Sequence, residues 1–179
     1  MQILIYGYGN PGRKDDGLGN QFVDRTEAWA KEQGLTNIHF DSNYQLNIED
    51  AAEIADMDVV IFVDASTEDV DDYLLTEITP SSKVEFSMHS VSASYVVQLC
   101  NEIYKKYPKA FLLHIKGYRW EFQEGLSEEA VKNLEKSLDF IKPLLLDPVK
   151  IVANPKQNSY HEHINQLHGF KFEKPDCSK

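Results

Sequence analysis

Ile3-Leu4-Ile5-Tyr6-Gly7-Tyr8-Gly9-Asn10-Pro11-Gly12-Arg13-Lys14-Asp15-Asp16-Gly17-Leu18-Gly19 is the stretch that decides the fold. An apolar run of strand length breaks into a glycine-rich turn, and apolar residues return at Leu18, Phe22, Val23 and Trp29 on one face of a helix. Strand, tight turn and helix in that order begin an α/β sheet. Gly7, Gly9 and Gly12 also satisfy the G-x-G-x-x-G pattern of dinucleotide-binding turns. The acids at Asp15 and Asp16 oppose that ligand, because a pyrophosphate needs the amides and positive end of the following helix to itself. A carboxylate about 4 Å from a phosphate costs about 4 kcal/mol at an effective dielectric near 20. Pro11 disturbs the cradle further, and no ribose-binding acid is clearly placed about 20 residues past the loop. Acids at this position suit a cation.

Outward from the loop, residues 37–41, 59–63 and 111–115 have the composition of buried strands. Helical patterns lie between them. Residues 46–55 make a short helix that Asn47 can cap. Val91, Tyr95, Leu99 and Ile103 repeat at fours until Pro108, and Val131, Leu134, Leu138 and Ile141 continue from Ser127 until Pro143. Alternating strands and helices, with runs as apolar as Val59-Val60-Ile61-Phe62-Val63, predict an open, mostly parallel twisted sheet with helices on both faces. The fold class is therefore α/β, a three-layer α/β/α sandwich of the phosphorylase and hydrolase kind. Residues 1–149 form one domain; 150–179, rich in Asn, Gln, His and Lys, form a polar tail with little periodicity. Its His161, His163 and His168 are metal-capable but are more simply solvated.

The chain has 179 residues, long enough for one sizeable core. Its 18 Lys and Arg against 29 Asp and Glu leave a formal charge of -11, which repels nucleic acid and anionic membranes. No basic patch overrides that charge. Two cysteines, Cys100 and Cys177, are too few for a disulfide scaffold, and Cys100 falls in a helical pattern where it packs. With no long apolar run and no basic leader, the expectation is a cytoplasmic monomer without a membrane span.

In open parallel sheets the site lies beyond the carboxyl ends of the strands. Asp16 leaves the first strand there, Asp64 follows Val63, and His89 stands in Ser87-Met88-His89-Ser90 just before a helix. Two carboxylates and an imidazole are mixed O and N donors suited to a borderline divalent ion such as nickel or zinc. Singly, each residue has a plainer use: Asp15 or Asp16 as a helix cap, Asp64 as a cap or turn residue, His89 as a loop histidine. His114, inside a strand, is a core or half-buried histidine.

The segment Gly7 to Gly19 closely resembles the opening signature of the hydrogenase maturation endopeptidases, which remove a C-terminal extension from the nickel-iron hydrogenase large-subunit precursor. Val63-Asp64-Ala65 resembles their second acid after a central strand, and His89 their histidine at the start of a helix. Glu121-Phe122-Gln123-Glu124-Gly125-Leu126-Ser127 resembles their late glycine-Leu-Ser element. The likeness runs from residue 1 to about residue 145, with Lys14 and Gln123 standing where glycine is common. It implies that Asp16, Asp64 and His89 are the site and bind nickel already inserted in the precursor, so that the metal arrives with the substrate. The Gly-Tyr-Gly-Asn-Pro-Gly-Arg form is most similar to proteases serving cytoplasmic NAD(P)-linked bidirectional hydrogenases.

No serine or cysteine with a nearby base appears in a recognisable motif, which disfavours covalent catalysis. A metal-polarised carbonyl or metal-activated water, with a carboxylate handling the proton, is the simplest chemistry. One alternative is a peptidyl-tRNA hydrolase-like esterase, whose opening is similar; it needs a histidine where Asn20 stands, and the acidic charge disfavours tRNA. Another is a non-enzymatic metal-binding maturation factor using the same three ligands.

Overall fold

A computed structural model describes residues 1–81 and 91–153. Five strands form one sheet: β1 (Ile3–Tyr8), β2 (Ile38–Asn43), β3 (Val59–Ser66), β4 (Tyr73–Glu77) and β5 (Lys109–Lys116). Their order is β2-β1-β3-β5-β4, parallel throughout except for β4, which runs antiparallel to β5. The α-helices are α1 (Leu18–Glu32), α2 (Asp50–Glu53), α3 (Ala93–Leu99), α4 (Glu128–Leu146) and α5 (Val149–Val152).

Strand alternation sends side chains to two cores. Ile3, Ile5, Val59, Ile61, Val63, Phe111 and Leu113 pack against Leu18 and Phe22 of α1 and Leu134, Leu138 and Ile141 of α4. Leu4, Tyr6, Val60 and Phe62 face the other way, onto Ala51 of α2 and Ala93, Val96 and Val97 of α3. Because both faces are covered, β1 from Ile3 to Tyr6 and β3 from Val59 to Val63 are buried at every position, as the expected three-layer sandwich requires.

Several local expectations need correction. The 59–63 strand continues through Asp64 to Ser66, so Asp64 is in β3 rather than after it. β4 is an edge strand that its short, half-buried pattern concealed. Asn47 does not cap α2; instead Asp50 accepts from the Asn47 N–H at 2.8 Å, and the helix begins only at Asp50. The helix after residue 91 is α3 followed by a wide π turn, Cys100–Tyr104, ended by Lys105 at φ 55°. Its buried stripe is Ala93, Val96, Val97 and Cys100, while Ile103 is exposed. Helix α4 does not stop at Pro143 but runs to Leu146. Pro143 and Asp139, the residue four back whose carbonyl loses its helical partner, are both exposed, and buried Leu145 keeps the last turn packed. Ile151 of α5 is buried in the core beside Leu145 of α4.

No helix among the described residues is long and apolar enough to cross a membrane.

Candidate active site

Strand β1 connects to β2 on one side and its neighbour β3 lies on the other, so the chain changes direction between β1 and β3. Such a switch point leaves a crevice beyond the carboxyl ends of the two strands. The glycine loop fills its rim. Gly9, at φ 136°, brings the backbone so close that a Cβ there would meet the Asp16 carbonyl at 1.9 Å. Gly19 does the same for the start of α1: a Cβ would lie 2.5 Å from the Val63 carbonyl and 2.6 Å from that of Tyr8. The first turn of α1 therefore rests directly on the ends of β1 and β3.

Between them, residues 14–17 form a single 3-10 turn carrying both acids. The Asp16 N–H donates to the Arg13 carbonyl at 3.1 Å, and its carboxylate accepts from the Asn10 N–H at 3.2 Å. That amide is one a bound phosphate would use in a dinucleotide site, and here it already serves a carboxylate. The Asn10 side chain in turn accepts from the Gly12 N–H at 2.9 Å, fixing the Pro11 turn.

Asp64 lies across the switch point. In β3 it shares the sheet face of Val60 and Phe62, and the register that pairs Gly7 with Val63 places Tyr8 beside it. Burial, the largest influence, and the negative charge of Asp16 push the Asp64 pKa up to about 7. The nearby polar groups of Tyr8 and the Ala65 backbone oppose this by favouring the ionised form. Asp16 and Asp64 are therefore within electrostatic reach of each other, and both are half-buried rather than sealed. Two neighbouring carboxylates, with the Asp64 pKa elevated, make a site that gains from a cation.

His89 lies outside the described residues, as do His161, His163, His168 and Cys177. Among the described residues no three His, Cys, Asp or Glu side chains are grouped to hold a metal. His114 is buried, and its Nε2 lies 3.2 Å from the Thr76 hydroxyl, in keeping with a core histidine. Cys100 is fully buried.

Asp15 is not the helix cap that its position suggests; neither the 3-10 turn nor α1 has a side-chain cap. It is fully buried, and its carboxylate accepts from the N–H groups of Tyr118 (2.8 Å), Arg119 (2.9 Å) and Ser127 (2.7 Å) and from the Ser127 hydroxyl (2.7 Å). Burial alone would raise its pKa, but the donors from Ser127, Tyr118 and Arg119 outweigh burial and hold it below the usual carboxylate range. Around this brace, Lys14 N–H donates to the Gln123 carbonyl at 2.7 Å, and the Arg13 guanidinium reaches the Trp120 carbonyl and stacks 5.1 Å from the Phe122 ring centre. The glycine loop and the segment after β5 are thus one unit. Lys14 has φ 48°, the left-handed conformation that explains a glycine preference at its place.

Comparison with solved structures gives the same architecture. One similar structure is the [NiFe] hydrogenase maturation protease HycI from Thermococcus kodakarensis KOD1, at 20% identity and TM-score 0.66, covering 82% of this chain and 93% of that one. Another is the hydrogenase maturating endopeptidase HybD from E. coli, at 17% identity and TM-score 0.61, covering 83% and 94%. The chain has the fold of the hydrogenase maturation proteases. A third likeness, the hydrogenase 2 maturation peptidase from Thaumarchaeota archaeon SCGC_AB-539-E09, has 17% identity and TM-score 0.59, covering 81% and 98%. The protease fold thus accounts for nearly the whole of those chains and leaves about a fifth of this one unmatched. No family model matches the sequence, and no curated protein matches it.

Proposed function

We propose that this protein is an endopeptidase that removes the C-terminal extension of a nickel-loaded nickel-iron hydrogenase large-subunit precursor. The observation that carries the reading is the pairing of Asp16 and Asp64 at the β1–β3 switch point of a fold shared with hydrogenase maturation proteases. In this reading Asp16 and Asp64 supply oxygens and His89 a nitrogen to the nickel that the precursor already carries. The metal belongs to the substrate and serves as the recognition signal, because a cation relieves the repulsion between the two acids. An empty precursor brings the same peptide without that compensation. With the cation bound, a carboxylate of the pair is held ionised and can take the proton of an attacking water. The -11 charge favours docking on a basic surface of the precursor, so association weakens as salt rises. The protein works as a cytoplasmic monomer, with the 150–179 segment as an accessory tail.

The test is incubation with nickel-loaded large-subunit precursor, read as a mobility shift on a gel. Wild type removes the extension; Asp16→Ala, Asp64→Ala and His89→Ala do not. Wild-type protein that leaves the precursor intact and hydrolyses peptidyl-tRNA overturns the reading in favour of an esterase. Stoichiometric binding of loaded precursor without cleavage favours the non-enzymatic maturation factor.

A further inference from the structure

We infer that Asp15 is a positioning residue for Asp16: its buried carboxylate fastens the glycine loop to residues 117–127, and this holds the Asp16 carboxylate in place against the Asn10 N–H. The inference deepens the protease reading and rests on it for the reaction, while the geometry stands apart from that reaction. All four donors to the Asp15 carboxylate, the N–H groups of Tyr118, Arg119 and Ser127 and the Ser127 hydroxyl, come from the segment between β5 and α4. The backbone is tied to the same segment. Lys14 N–H donates to the Gln123 carbonyl at 2.7 Å, and Asp15 N–H to the Arg119 carbonyl at 3.0 Å. Gly117 permits the approach, since a Cβ there would lie 3.0 Å from that of Asp15.

Both ends of this segment are anchored. Ile115 at the end of β5 and Ala130 in the first turn of α4 belong to the core, and Ser127 also caps α4. Asp15 therefore joins a surface loop to fixed elements. Asp16, one residue on, shares that frame: its N–H donates to the Arg13 carbonyl at 3.1 Å and its carboxylate accepts from the Asn10 N–H at 3.2 Å. A turn that rocks about a loosened Asp15 carries Asp16 away from Asn10. Ligands to metals are commonly oriented by bonds from outside the coordination set, and a small misplacement of a reacting group is costly in rate. The Asn10 amide thus reports where Asp16 stands.

The test uses the full chain with Asp15→Asn and with Ser127→Ala, which keeps the Asp15 charge and removes one of its donors. In ¹⁵N-labelled protein, the Asn10 amide resonance of both variants moves toward the position it takes in Asp16→Ala, where the bond is absent. With nickel-loaded precursor, kcat falls roughly 10-fold in folded Asp15→Asn and by less in Ser127→Ala. Ile141→Val, a core substitution in α4 about 20 Å along the helix from Ser127, separates position from stability. It lowers the thermal midpoint while the Asn10 resonance and kcat stay at wild-type values. An Asn10 resonance unmoved in both brace variants overturns the inference, as does wild-type kcat in a folded Asp15→Asn. If wild type cuts no precursor the protease reading fails, and the Asn10 resonance still decides whether Asp15 sets Asp16.

Discussion

Asp15 is fully buried with four donors around it, whereas its neighbour Asp16 keeps part of its surface open beside Asp64. Adjacent identical side chains thus have separate tasks, because successive residues of a tight turn point in different directions. Replacing Asp15 by Ala strands three N–H groups, each costing about 1–3 kcal/mol, so the loss in a urea titration is about 3 kcal/mol or more. Ser127→Ala, which removes the α4 cap and one bond to Asp15, costs about 1–2 kcal/mol. Since the folded Asp15 pKa is depressed, its contribution is present above about pH 4 and lost as pH falls through the folded value. Lys14→Gly relieves the positive φ and gains roughly 0.5–1 kcal/mol in the same titration. Asp64 has the opposite sign to Asp15. Its folded pKa of about 7 lies above the ordinary 3.8, so the folded state holds that proton more tightly and stability declines as pH rises from about 4 to 7. Asp64→Asn abolishes this decline: its thermal midpoint matches wild type near pH 4 and exceeds it increasingly up to pH 7. A constant difference across that range contradicts the assignment.

The contact that builds the crevice is at the scale of elements, where α1 rests on the ends of β1 and β3 through Gly19. Gly19→Ala forces these elements apart and costs about 1–3 kcal/mol or more in unfolding experiments. The parallel strands were legible because burial on both faces makes them continuously apolar. That criterion passes over β4, an antiparallel edge strand of five residues with two buried positions, Leu75 and Thr76. Pro108 and Pro143 carried too much weight as helix stops. The helix before Pro108 has already widened into a π turn at Cys100, and Pro143 lies on the exposed side of α4, where the lost helical bond leaves the buried stripe packed. Asp16 and Asp64 were legible because a strand-turn-helix pattern and a hydrophobic strand each end in an acid. The role of Asp15 was not, since it depends on partners 103 to 112 positions along the chain.

Over the whole molecule, the sheet order places two acids at one switch point and the chain carries a formal charge of -11. On the proposed reading, both features favour a partner that brings a cation. Tested against the precursor, the account makes nickel a condition of cleavage rather than an additive to the enzyme. The direct measurement is the processing rate of one large-subunit precursor prepared with and without nickel, using enzyme treated with a chelator and then freed of it. The account predicts cleavage of the nickel-loaded form alone, abolished by Asp16→Ala and Asp64→Ala. Equal cleavage of the nickel-free form, or cleavage unaffected by either substitution, contradicts it.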